Sequence, residues 1–177
     1  MSQKAIGPSF PGELNAAGLA GLPFSWTADG DFVYGTAMTS EQIEAVRAVY
    51  AAHDPNSIVY LRGVQKDLID DAYAAAVQQS VSFKTLADVT QSFQADTGSQ
   101  TILEQAVQGY QIAGSVPANF FWKAADNTLV PFTLTDLEGL YVTILAQGWT
   151  AFQKRTALKA QIDAATTVST VQSVTWS

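Results

Sequence analysis

Residues 135–164, TDLEGLYVTILAQGWTAFQKRTALKAQIDA, contain the longest helical pattern of the chain. Apolar residues recur there at steps of three and four, and a capping box from Thr135 to Glu138 stands at the start. We therefore predict one long helix over residues 136–164, which would be ~40 Å long. The residues that form its stripe are Leu137, Tyr141, Ile144, Gly148, Phe152, Arg155, Leu158 and Ile162, and Arg155 interrupts its apolar character.

Upstream of this helix, turn and cap signals divide the sequence into shorter elements. They predict a hairpin over 119–133, a helix over 98–113, one or two short strands within 81–95, and a helix over 64–79. The hairpin should turn at Asp126-Asn127, and Asp96 or Thr97 should cap the helix that follows the strands. The helix over 64–79 should turn Val64 and Leu68 inward, whereas Ser57–Arg62 fit either a strand or an early helical turn.

The N-terminal sequence predicts a second, smaller set of elements. Two aromatic-rich runs within residues 23–35 flank Asp29-Gly30, a dipeptide that suits a type I′ turn, and so predict a β-hairpin. Thr39 and Gln42 form a capping box for a helix that should end near His53. A short helix is also expected within residues 9–21.

The junction between the two sets is Asp54-Pro55-Asn56, because a residue before proline avoids the helical region. We therefore predict a hairpin-plus-helix module over 1–56 and a helical domain with an aromatic hairpin over 57–177. The fold class predicted is α+β, with short β-hairpins packed on α-helices and one long C-terminal helix.

Composition and charge exclude several classes of partner. The 177 residues carry 9 basic and 16 acidic side chains, a net charge of −7, and the basic residues form no stripe. Nucleic acid and anionic membranes are therefore not expected partners. Cysteine is absent, which excludes disulfides and thiolate metal sites, and neither a signal peptide nor a membrane-spanning segment is expected. Charged residues make up only 14 %, so part of the apolar surface is expected to be buried against other chains.

Few residues suggest chemistry. His53, the one histidine, lies at a predicted helix end, where a histidine usually meets the last carbonyl groups. Asp67, Asp70 and Asp71 would share one helical face, which is typical of a solvated surface; a Mg²⁺ site is the alternative. We predict no catalytic, cofactor-binding or metal-binding residue and no enzymatic activity.

The aromatic residues of the two hairpins are the candidate interaction residues. They are Trp26, Tyr34, Phe120, Trp122 and Phe132. Aromatic side chains are enriched at interface hot spots, but they also fill cores, and both alternatives are open. The first hairpin and the helix after it contain Trp26, a turn and the Thr39 cap, and the second hairpin and its helix contain Trp122, a turn and Thr135 in the same order. This recurrence indicates either a generic unit or duplicated docking modules.

Several stretches resemble a known group of proteins. Residues 13–26, ELNAAGLAGLPFSW, followed by Asp29-Gly30 and by residues 52–55, AHDP, resemble the opening of small tail proteins of tailed bacteriophages. The rest of the chain resembles a C-terminal phage domain of unknown function. The residues that carry this resemblance are 93–100, FQADTGSQ, then Trp122 and Asn127, the Leu134-Thr135 helix start and the stretches 162–165 and 174–176.

The resemblance implies a non-enzymatic accessory or structural protein of the phage tail, made in the host cytoplasm and located in the virion. It would contact a tail-fibre or baseplate protein, and association with further copies of itself is also open. One alternative is a tail-fibre assembly chaperone that is absent from the virion. Another, from a different class, is a glycan-cleaving enzyme of the tail tip, which would need two carboxylates across a sugar-sized gap.

Overall fold

The structure is a computed structural model that describes residues 3–177. It confirms the α+β class: 53 % of the chain is helical, and residues 3–177 contain three antiparallel two-stranded sheets. The helices are α1 (Phe10–Ala16), α2 (Ser40–Ala52), α3 (Ile58–Ala76), α4 (Thr97–Ala113), α5 (Leu134–Ala164) and α6 (Val168–Ser173). The strands are β1 (Phe24–Trp26), β2 (Phe32–Tyr34), β3 (Val81–Lys84), β4 (Thr90–Phe93), β5 (Phe121–Lys123) and β6 (Leu129–Pro131).

The chain divides into two units. The first comprises the described residues up to Gln65 together with Ala165–Ser173, and the second comprises Lys66–Ala164 with Val174–Ser177. The division falls inside α3, whereas the sequence places a module boundary at Asp54-Pro55-Asn56.

The core of the first unit is an aromatic cluster around Phe10 of α1, which is fully buried. Its ring meets Trp26 of β1 edge-on at 5.4 Å between centroids, and Phe32 of β2 lies at 6.0 Å. Thr39 caps α2 as predicted, because its hydroxyl accepts from the Gln42 N–H and the Gln42 side chain accepts from the Thr39 N–H.

The core of the second unit lies between α4, α5 and the two hairpins β3–β4 and β5–β6. It contains the fully buried side chains of Phe93, Leu137 and Leu140. The Phe93 and Phe132 rings meet edge-on at 5.2 Å, so each hairpin contributes an aromatic ring to the same cluster.

The three hairpins turn in the same way. In each, the residue after the first strand (Thr27, Thr85 or Ala124) donates its N–H across the loop, to the carbonyl of Asp31, Val89 or Thr128. A residue with positive φ closes the inner turn: Gly30, Asp88 or Asn127. A type I turn followed by a left-handed residue has this arrangement. The type I′ turn predicted at Asp29-Gly30 is therefore wrong, since Asp29 does not have positive φ.

Of the two alternatives for Ser57–Arg62, the early helical turn is confirmed, because α3 begins at Ile58. The inward face predicted for this helix needs correction. Its buried residues include Gln65 and Ile69, whereas Val64 and Leu68, predicted to face inward, are exposed.

The long helix begins at Leu134, and its cap is Thr133 rather than Thr135. The Thr133 hydroxyl accepts from the Asp136 N–H at 3.1 Å, and the Asp136 carboxylate accepts from the Thr133 N–H at 2.9 Å. Glu138, expected in the capping box, instead accepts a hydrogen bond from the Gln111 side chain of α4. On this helix Phe152, predicted to lie in the inward stripe, is exposed.

Candidate functional site

The predicted interaction residues lie on the inner faces of their hairpins. Trp26 and Tyr34 are half-buried against the core of the first unit, and Phe120 and Trp122 are half-buried against that of the second. Phe132 is 4 % exposed and lies within the core itself. These five side chains therefore stabilise their units, and four of them keep an accessible edge.

The outward surface of the third hairpin carries apolar side chains that the sequence analysis missed. Since Trp122 pairs with Val130 and both face the core, the neighbouring pairs must face outward. Phe121 is 51 % exposed and Leu129 is 55 % exposed, on one face and diagonally opposed. We call Phe121, Lys123, Leu129 and Pro131 the hairpin face. The hairpin face could have been predicted from the sequence, because side chains alternate between the two faces of a strand, so the neighbours of a core-facing Trp122 must face outward.

A shallow pocket of about 330 Å³ lies beside the hairpin face, at the start of α4. Its lining residues are Gln94, Ser99, Ile102, Trp122 and Lys123. The accessible edge of Trp122 and an exposed Ile102 side chain give it apolar walls, and the amide of Gln94 and the cation of Lys123 give it polar groups. Such a combination suits a protruding side chain of a partner protein.

Part of the stretch that resembles the C-terminal phage domain lies in this region. Phe93 and Ala95 are buried, and the Gln100 amide donates to the Ala95 carbonyl at 2.6 Å. Gln94 and Ser99, by contrast, line the pocket. The FQAD segment therefore both builds the β4–α4 junction and shapes the pocket wall.

The carboxyl groups with lowered pKa values in the hairpins and at helix starts have structural partners. The pKa of Asp96 is lowered by hydrogen bonds from the Ser99 hydroxyl and backbone N–H at the start of α4. That of Asp126 is lowered by the Thr128 N–H in the β5–β6 turn. Asp96 therefore caps α4, and Asp126 stabilises the β5–β6 turn.

The acidic triplet is not a uniformly solvated face. Asp70 pairs with Arg155 and Lys159 of α5, each at 2.6 Å, and the hydrogen bonds from these two cations lower its pKa to about 2. Asp67 and Asp71 are exposed. Within residues 3–177, no group of three or more His, Cys, Asp or Glu side chains is arranged to hold a metal ion.

His53 does not meet the last carbonyl groups of α2 through its ring, as the sequence suggested. Its buried ring accepts the Gly7 N–H at Nε2 (2.9 Å), so Nδ1 carries the proton and donates to the Glu13 carboxylate at 2.8 Å. The Lys4 ammonium takes the place expected for the histidine and donates to the carbonyl groups of Ala51 and His53. His53 is therefore a structural link between α2 and the N-terminal segment.

Residues 60–175 match the family described as a domain of unknown function, DUF4376. The match covers well over half of the chain, and the chain belongs to this family. No curated protein and no solved structure matches it. Among residues 3–177 there is no helix with the length and hydrophobicity needed to span a bilayer.

Proposed function

We propose that the protein is a non-enzymatic accessory or structural component of a bacteriophage tail that contacts a tail-fibre or baseplate protein. The observation that carries the contact role is the exposed pair Phe121 and Leu129 on the hairpin face, next to the Trp122 pocket. The tail assignment depends on the resemblance of residues 13–26 and 93–100 to phage tail proteins.

The surface has the composition of a contact site. Its centre is apolar, and the single cation Lys123 lies at the edge shared with the pocket. Interfaces are typically organised with an apolar centre and a polar rim. A rigid two-stranded scaffold also presents these side chains at little cost in conformational entropy, because Trp122 and Val130 anchor the hairpin from below.

Quantitative mass spectrometry of purified phage particles and of the infected-cell lysate tests the location. A fixed copy ratio to a tail protein in particles is expected. If the protein is abundant in the lysate but absent from particles, the assembly-chaperone alternative would replace this proposal. Absence from both would contradict the phage assignment.

A binding assay tests the surface. The variant Phe121→Ser/Leu129→Ser should lose co-purification with the fibre or baseplate protein, because it removes the two apolar anchors. Leu86→Ser is the matched control, since Leu86 is an exposed apolar residue at the tip of another hairpin. Equal binding by both variants, with both folded by circular dichroism, would exclude the hairpin face.

A further inference from the structure

A groove lies between α4 and α5 in the second unit. Two hollows, of about 230 Å³ and about 170 Å³, follow one another along it, and Glu104 of α4 and Tyr141 of α5 line both. On α4 the lining extends from Gln111 at one end to Thr97 at the other, which is roughly 20 Å of helix. We call this surface the helix groove.

One side of the helix groove is apolar and exposed. Val142 of α5 lines the first hollow and Leu145 lines the second, and these side chains are 62 % and 54 % exposed. Val107 and Ile144, which also line the groove, are buried in the core of the second unit. The groove therefore presents two large apolar side chains on a support that is already packed.

The charge of the helix groove is negative. Within residues 3–177, the charged side chains that line it are Glu104 and Glu138. Each accepts a hydrogen bond from a neutral amide, Glu104 from Gln108 at 3.3 Å and Glu138 from Gln111 at 2.9 Å. In this described part of the chain, no lysine, arginine or histidine forms a salt bridge with either carboxylate.

The two helices do not supply a cation to balance these carboxylates. Glu104 is the one charged residue of α4, and the first basic residue of α5 is Lys154. Lys154 lies about 13 Å of helix beyond Leu145, and its ammonium group is placed over the Trp176 ring. A complementary charge in the groove therefore comes from a partner.

We propose that the helix groove binds an amphipathic helix of another protein, whose apolar side covers Val142 and Leu145 and whose Lys or Arg residues pair with Glu104 and Glu138. This inference goes beyond the proposed function, because it concerns a surface other than the hairpin face and a partner of defined charge. It does not depend on the tail assignment.

The shape of the groove favours a helix as the occupant. Two packed helices leave a furrow between them that accepts the side-chain ridge of a third helix. Helices bound in this way use apolar anchors at steps of three and four. Val142 and Leu145 are three residues apart, and the length of the groove matches about 14 residues of helix.

Charge favours a basic partner over a second copy of this chain. The net charge of −7 repels another copy, and a second groove would bring two more carboxylates to the contact. A basic helix is instead attracted over a distance and forms ion pairs at the edge of the apolar contact.

Fluorescence anisotropy with two synthetic peptides tests the charge of the partner. Both peptides have about 18 residues with leucine at steps of three and four on one side. Lysine flanks the leucines in the first peptide, and glutamate flanks them in the second. The full chain should bind the lysine peptide, and added salt should weaken this binding. The glutamate peptide should bind at least about 10-fold more weakly.

Paired substitutions test the groove itself. Glu104→Gln/Glu138→Gln should weaken binding of the lysine peptide about 10-fold, because each exposed ion pair is worth up to ~1 kcal/mol. Asp67→Asn/Asp71→Asn is the matched control, since it removes two exposed carboxylates of α3 and should bind like the wild type. Leu145→Ser should also weaken binding, at least about 10-fold, through the loss of an apolar anchor.

Four results would overturn the proposal, provided that circular dichroism shows folded variants. They are the absence of binding to the lysine peptide, equal binding of the glutamate peptide, wild-type binding by Glu104→Gln/Glu138→Gln, and an equal loss in the Asp67→Asn/Asp71→Asn control. Dimers of the wild type that Leu145→Ser abolishes in sedimentation equilibrium would assign the groove to a second copy and would also overturn it.

Single cysteines test where the peptide lies, because the chain has none of its own. A lysine peptide with a chloroacetamide group at its centre should alkylate Gln108→Cys, since Gln108 is exposed and lines the groove. Thr156→Cys is the control, because Thr156 is exposed and lies about 21 Å along α5 from Val142. Equal alkylation of the two cysteines would contradict binding in the helix groove.

Discussion

The carboxylate of Asp136, in the first turn of α5, accepts the backbone N–H of Leu86 in the β3–β4 turn at 2.8 Å. Its other oxygen accepts from the N–H and the hydroxyl of Thr133. One buried side chain therefore both caps the longest helix and fixes the tip of a hairpin. Burial raises the pKa of Asp136, but the hydrogen bonds from Thr133 and Leu86 outweigh it and leave the pKa lowered.

Replacing Asp136 by alanine should strongly destabilise the second unit. Asp136→Ala removes the acceptor of the partly buried hydrogen bonds from the Leu86 and Thr133 N–H groups and also removes the cap, so we expect a loss of about 2–4 kcal/mol in the free energy of unfolding. Asp136→Asn keeps one carbonyl acceptor and should lose less. Urea unfolding measures both losses; equal losses would show that the one carbonyl oxygen retained in Asp136→Asn does not stabilise the fold.

Acid should destabilise the fold through Asp70. Its pKa is lowered from 3.8 to about 2, so the folded state binds fewer protons than the unfolded state in that interval. The stabilisation is complete above pH 3.8 and is lost as the pH falls toward about 2. Thermal unfolding across this interval should show a steep loss in the wild type and a shallower one in Asp70→Asn.

Arg155→Gln should flatten the same acid step, because the guanidinium group is the largest cause of the lowered pKa of Asp70. Arg47→Gln, which removes one exposed cation elsewhere, is the charge-matched control and should leave the Asp70 step in place. A step that persists in both Asp70→Asn and Arg155→Gln would contradict this assignment.

Gly30→Ala should cost more stability than Gly18→Ala. Both glycines have positive φ, which costs an alanine about 1–2 kcal/mol. A β-carbon at Gly30 would in addition collide with the Tyr50 hydroxyl and the Lys4 carbonyl, which are hydrogen-bonded to each other, whereas the space at Gly18 is open. Chemical unfolding should therefore give Gly30→Ala a free energy of unfolding at least ~2 kcal/mol lower than that of Gly18→Ala. Equal losses would mean that backbone conformation alone decides both.

His53→Phe should destabilise the first unit although it keeps an aromatic ring. The Gly7 N–H would lose its acceptor, at a cost of about 1–3 kcal/mol. Glu13→Gln is the control, because its amide oxygen still accepts from Nδ1 of His53. Chemical unfolding, with the hydrogen-exchange rate of the Gly7 amide, separates the two. An unchanged Gly7 exchange rate in His53→Phe would contradict the proposed hydrogen bond.

The features predicted best are those set by neighbouring residues. The Thr39–Gln42 capping box and the Asp96 cap depend on side chains that reach backbone groups three residues away. The sequence does not identify Thr133 as the cap of α5, because two overlapping pairs, Thr133–Asp136 and Thr135–Glu138, satisfy the same local rule. Tertiary contacts select the first pair: Asp136 also accepts a hydrogen bond from the N–H of Leu86, fifty residues away, whereas Glu138 accepts one from the Gln111 side chain.

The sequence alone does not predict which hairpin side chains face outward. The sequence placed aromatic residues on the hairpins, and only the packing of Trp122 and Phe132 onto the core shows that Phe121 and Leu129 face outward. On α5 the buried Leu137 and Ile144 and the exposed Phe152 all satisfy the same helical spacing, so periodicity alone does not identify the side of the helix that is buried.

The sequence by itself determined the α+β class, the positions of the first and third hairpin turns and the extent of the long helix α5 to within two residues, because backbone preferences and caps act within a few residues. Tertiary structure decided which side of each helix and hairpin is buried, since burial depends on what each element packs against. The salt bridge between Asp70 and Arg155 joins residues that are adjacent only in the folded chain. Because of this contact, Asp70 packs against α5 within the second unit, although its sequence pattern is typical of a solvated helix face.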